Sequence, residues 1–154
     1  MKANILLGLA IVLLALQAFR PPRNVAAIAP FTGKDDITVL YRAPPAVRQI
    51  LADSCYDCHS NQTNYPWYAE IQPVGWWLAS HIKDAKQKLN FAEFGRYSPS
   101  RQIKKLESLE DEVSDRTMPL KSYTLIHRGA KLTDAQVNEL TRWAEDVQDE
   151  IARN

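Results

Sequence analysis

The sequence predicts an all-α fold. Three observations carry that prediction. Apolar residues recur in steps of three and four along several segments, helix-start signals stand in front of those segments, and nothing beyond residue 19 alternates with the period of two that a half-buried strand needs. The 154 residues carry 19 Lys+Arg against 18 Asp+Glu. A chain this close to neutral has no basic field to argue for nucleic acid. No internal repeat or low-complexity tract is present.

Residues 1–19 open with Lys2 and continue as an apolar run to Phe19 that only Gln17 interrupts. A positive start followed by an apolar stretch is the grammar of export. The run Ala3–Phe19 is at the short end of the roughly 17–25 residues that span a bilayer. Leu16-Gln17-Ala18 matches a cleavage site poorly, and Arg20-Pro21-Pro22-Arg23 follows at once. These features favour an uncleaved N-terminal membrane-anchor helix over a removed signal peptide. The protein is then expected on the periplasmic side of a bacterial cytoplasmic membrane.

Residues 20–43 hold Pro21, Pro22, Pro30 and Gly33 among scattered apolar side chains and read as a tether. Residues 44–154 read as one domain. Pro44-Pro45 opens a helix, because proline is tolerated in the first turn. Val47, Ile50 and Leu51 give that helix one apolar face, and it runs into Cys55. A second helix is expected over Pro73–Leu89, with Trp77, Leu78, His81, Ile82, Ala85 and Leu89 on a broad face. Trp67, Trp76 and Trp77 either wall a pocket or pack in a core. Ser98-Pro99 starts a third helix, with Ile103, Leu106, Leu109 and Val113 inward. Its other side carries Glu107, Glu110, Asp111, Glu112 and Asp115, read as a solvated face. Thr133-Asp134-Ala135-Gln136 is a capping box, after which Val137, Leu140, Ala144, Val147 and Ile151 continue in helical steps.

The two cysteines of the chain fall in Cys55-Tyr56-Asp57-Cys58-His59. This pattern is the attachment signal for a c-type haem. Two thiols three positions apart reach the two vinyl groups of one porphyrin edge, and His59 follows as proximal iron ligand. Zinc would need about four N or S ligands, and no further cysteine exists. A thioredoxin-like dithiol would need a surrounding βαβ pattern, which is absent. One haem c per chain is the reading that remains, and export agrees with it.

The second axial position decides what such a site does. Met118, in Arg116-Thr117-Met118-Pro119-Leu120, is the one methionine besides the initiator. Its loop position, the adjoining proline and the helix downstream favour it as distal ligand over the gap-filling role methionine often has. His81 and His127 are the competitors. An empty sixth position would instead make a ligand sensor or a peroxidase-like site.

The order of helix, Cys-x-x-Cys-His, late Met-Pro loop and terminal amphipathic helix resembles monohaem cytochromes c. More closely, the chain resembles a family of small bacterial haem-binding domain proteins. The similarity lies in Cys55-Tyr56-Asp57-Cys58-His59-Ser60-Asn61, Tyr65-Pro66-Trp67-Tyr68, Pro73-Val74-Gly75-Trp76-Trp77, Leu89-Asn90-Phe91 and Met118-Pro119-Leu120 with Tyr123 and His127. It covers about residues 44 to 150. It implies a cytochrome c-like helical domain in which the first and last helices cross near the haem. It also implies attachment at Cys55 and Cys58, His59 as proximal ligand and Met118 as distal ligand. The expected role is single-electron transfer between redox proteins of a membrane chain, without substrate chemistry of its own.

Overall fold

A computed structural model of the protein describes residues 2–153. Eight helices follow one another: α1 (Lys2–Leu16), α2 (Ile37–Leu40), α3 (Pro45–Ser54), α4 (Tyr56–His59), α5 (Val74–Lys88), α6 (Pro99–Ser114), α7 (Lys121–Ile126) and α8 (Asp134–Arg153). Short 3-10 turns occupy Trp67–Glu70, Phe91–Arg96 and Arg128–Ala130. No strand occurs among the described residues, and a single antiparallel bridge joins Val25 to Gln62. The chain is all-α.

Helix α8 forms where its capping box lies. The Thr133 backbone N–H donates to Gln136 Oε1 at 2.9 Å, and the Gln136 N–H donates back to Thr133 Oγ1 at 3.2 Å. Two of the donors that a helix start leaves open are thereby satisfied. Val137, Leu140, Ala144, Val147 and Ile151 then face inward, and Trp143 joins them. Helix α6 packs against this face through Leu106, Leu109 and Val113, and α3 adds Val47, Ile50 and Leu51. Each such side chain, fully buried, contributes about 1.5–3 kcal/mol relative to exposure. Ser98 makes no side-chain cap to α6, so its start rests on Pro99. Glu107, Asp111, Glu112 and Asp115 are exposed, while Glu110 accepts a hydrogen bond from Gln148 of α8.

The segment 20–43 is short of regular structure, as its prolines dictate, yet it is not loose. Asp36, Ile37 and Thr38 are essentially fully buried. Asp36 accepts from the Thr38 N–H at 2.9 Å, capping α2, and from the Tyr56 hydroxyl at 3.0 Å. Phe31 and Phe91 both stack on Tyr56, at ring separations of 4.3 and 5.3 Å. The segment therefore wraps the Cys55–His59 pentapeptide and locks its second residue.

Two expectations need correction. The N-terminal run forms a helix of 15 residues, about 22 Å long, against an apolar bilayer thickness of about 30 Å. None of the described helices is long and apolar enough to cross a membrane. The helix stops because Gln17 turns its amide back to the Leu13 carbonyl and onward to the backbone of Gln72, and two prolines follow. The membrane-anchor helix expected over residues 1–19 is not found; Met1 lies outside the described residues.

The tryptophans are the second correction. Gly75, Leu78 and Ile82 form the buried stripe of α5, whereas Trp77 is 49% and Trp67 76% exposed. Trp77 lies against His81, with ring centroids 4.2 Å apart, on the outer side of the helix. The buried tryptophan is Trp143.

Candidate haem site

Helix α3 delivers the chain into the pentapeptide. The N–H groups of Cys58 and His59 both donate to the Cys55 carbonyl, so α4 is one tight turn that brings the two thiols and the imidazole together. Both cysteines are free thiols. Burial raises the Cys55 thiol to about 12 and the Cys58 thiol to about 11, with Cys58 and Asp57 respectively adding to the shift. Both are therefore held protonated at neutral pH.

His59 has one ring nitrogen committed. Nδ1 lies 2.9 Å from the Leu89 carbonyl oxygen. A carbonyl only accepts, so Nδ1 carries the proton and donates it, which leaves Nε2 as the unprotonated, metal-binding nitrogen. Burial lowers the basicity of the ring, against the raising effect of the Leu89 and Ala85 carbonyls. A neutral imidazole with a free Nε2 is the form that iron requires.

Two cavities meet at His59. The first, about 480 Å³, is bordered by Cys55, His59, Leu89, Phe91 and Met118. The second, about 280 Å³, is bordered by Cys58, His59, His81, Met118 and Tyr123. His59 and Met118 border both. The Met118 loop hangs from the end of α6, since the Thr117 and Met118 N–H groups both donate to the Glu112 carbonyl at 3.0 Å. On the other side, the Tyr123 hydroxyl donates to Asp57 at 2.8 Å. Burial, then the Asp57 charge, raises the Tyr123 hydroxyl well above its ordinary value.

The competitors for the distal position separate. His127 lies 2.7 Å from the Tyr68 hydroxyl through Nε2 and stacks on Tyr123 at 4.3 Å, and it borders neither cavity. His81 borders the smaller cavity, with Nδ1 at 2.9 Å from the Trp77 carbonyl. No tryptophan borders either cavity. The donor set, two thiols, an imidazole with free Nε2 and a thioether around a largely apolar space, fits a haem.

Comparison with protein families agrees. The model of the haem-binding domain matches residues 11–146. The chain belongs to the haem-binding domain family. No curated protein and no solved structure matches it.

Membership in this family establishes a haem-binding domain. Sequence reasoning did not find the Leu89 carbonyl, the Asp57–Tyr123 bond or the cations Arg101, Lys104 and Lys105 that border the larger cavity. The last had a legible signal: their spacing puts them on one side of α6.

Proposed function

We propose that this haem-binding domain is an exported monohaem c-type cytochrome that passes single electrons between larger redox proteins. The observation that carries the reading is the meeting of Cys55, Cys58, His59 and Met118 around adjoining cavities, with His59 Nδ1 committed to Leu89. Haem c supplies a reversible one-electron centre, whose potential the axial pair and burial set. The thiols hold it by two thioethers, one haem per chain. His59 ligates through Nε2, held in orientation by the Leu89 carbonyl. Met118, a soft neutral donor, raises the potential. No general acid or nucleophile is needed, so the role is that of a carrier rather than an enzyme. The apolar run at residues 1–19 serves as the export signal, and the domain works on the periplasmic side of a bacterial membrane.

Expression with a haem c maturation system tests this. Haem should stay with the polypeptide under denaturing electrophoresis and leave it in a Cys55→Ala, Cys58→Ala double variant. Near-infrared magnetic circular dichroism of the oxidised protein should show histidine–methionine ligation, lost in Met118→Ala. A bis-histidine signature would move the ligand to His81. A high-spin spectrum with rapid carbon monoxide binding would replace the carrier with a ligand sensor or peroxidase-like site, for which the space beside His81 and Tyr123 is the supporting observation.

A further inference from the structure

One stripe of α6 runs the length of the larger cavity. Arg101, Lys104 and Lys105 border it from the first half of the helix, and Leu109 and Val113 from the second. Their spacing in steps of three, one, four and four keeps all five on one side. Lys88, at the end of α5, borders the same cavity, and Lys105 Nζ donates to its carbonyl. The lining is thus apolar over one stretch and cationic over another.

Among the described residues these four cations lack counter-charges. No salt bridge joins any of them to a carboxylate among the described residues. Glu112 is the one acid bordering the cavity; one of its carboxylate oxygens accepts from the Thr117 hydroxyl, and it makes no ion pair with these cations. Arg101 and Lys105 are instead held over the Tyr97 ring, at 5.3 and 4.7 Å from its centroid. Burial disfavours the charge on Lys105, and Arg101 beside it adds to that. Like charges gathered at the lip of an apolar space, steadied by a π face, are arranged for an anion on a hydrophobic body.

We propose that Arg101, Lys104 and Lys105, with Lys88 beside them at the end of α5, bind the propionate carboxylates of the haem and so fix how the macrocycle lies in the cavity. This rests on the haem reading and adds to it the residues that recognise the acidic edge. A ring with carboxylates along one edge matches a lining that is apolar in one part and cationic in another. Esterified propionates would still fill the apolar part but would give the cations nothing to pair with.

The test is titration of the reduced, haem-free full chain in dilute detergent with ferric haem and, separately, with its dimethyl ester. Absorbance and Trp quenching report binding. The wild-type chain should prefer the free acid over the ester by about tenfold or more relative to an Arg101→Gln, Lys104→Gln, Lys105→Gln triple variant. The variant should bind the ester as the wild type does, which also shows that it is folded. Equal preference in both proteins would overturn the propionate assignment while leaving the haem site standing. Failure of the wild type to bind either compound would overturn the haem site itself.

Discussion

The Tyr123 hydroxyl donates to the Asp57 carboxylate across 2.8 Å, which ties the middle of the cysteine pentapeptide to the helix that follows Met118. The two halves of the candidate axial pair are 59 positions apart in sequence numbering (His59, Met118), so something must set their separation before iron does. From one side the Glu112 carbonyl holds the Met118 loop, and from the other the Asp57–Tyr123 bond holds α7. Tyr123→Phe should lower the stability of the haem-free domain by about 1.5–2 kcal/mol, the lower part of the range for a hydrogen bond to a charged group because both partners are only half-buried. In the haem-loaded protein it should weaken the methionine signature in near-infrared magnetic circular dichroism. Urea unfolding at wild-type stability would mean that the bond contributes nothing.

The thiols give a pH prediction. With Cys58 raised from 9.0 to about 11, the thiolate fraction at neutral pH is roughly a hundredfold below that of an exposed cysteine. Alkylation of the haem-free chain at pH 7.5 should be slower than in urea by at least that order, and should climb as pH approaches 11. Stability follows from the same shifts. The folded thiols hold their protons to higher pH than the unfolded ones, so from pH 9 upward the unfolded state binds fewer protons and stability falls. The contribution is complete below pH 9 and is lost as pH rises through about 11 to 12. The decline should be shallower in the Cys55→Ala, Cys58→Ala variant; identical slopes would refute the assignment.

Gly75, the second residue of α5, is expected to lose stability on replacement by alanine, although glycine to alanine within a helix ordinarily gains up to about 1 kcal/mol. A Cβ at position 75 would lie 2.4 Å from the Ala69 carbonyl oxygen and 2.8 Å from Gln72 Nε2. The Gln72 side chain can move, but the carbonyl belongs to the 3-10 turn Trp67–Glu70 packed on α5. Strain of that kind costs about 1–3 kcal/mol, so the net change is a loss. Thermal melting decides it, and a raised midpoint would show that the turn yields freely.

What the sequence made legible was local chemistry. The pentapeptide carries its donors within one turn, and Thr133 and Gln136 announce α8 by side chains three positions apart. Interactions that run through backbone or across the fold left no such mark. The Leu89 carbonyl that orients His59 has no side-chain signature, and the spacing of Arg101, Lys104 and Lys105 puts them on one side of α6 without showing that a cavity lies beside them. Hydropathy showed an apolar start but not where its helix ends, because that depends on Gln17 reaching Gln72. The periodicity of α5 suggested a broad inward face; packing against the turn at Trp67 selected the narrow stripe through Gly75 and put Trp77 outside.

The segment 20–43 gives the sharpest test of how the domain is bounded. A chain begun at Pro44 keeps every candidate ligand, yet it loses Asp36 as acceptor for the buried Tyr56 hydroxyl, the Phe31 ring stacked on Tyr56, and the fully buried Ile37. Burial of Ile37 alone is worth about 1.5–3 kcal/mol, and an unpaired buried hydroxyl costs about 1–3 kcal/mol more. Against a domain stability of about 5–15 kcal/mol, the loss is a large fraction. The chain begun at Arg20 should melt cooperatively without haem, and the chain begun at Pro44 should melt far lower or lack a transition, with Tyr56 exposed to solvent. Tyr56→Phe in the longer chain isolates the hydroxyl bond to Asp36 from the rest, and should lower the midpoint by only part of what truncation does. Equal melting of the two chains would return residues 20–43 to the role of a passive tether.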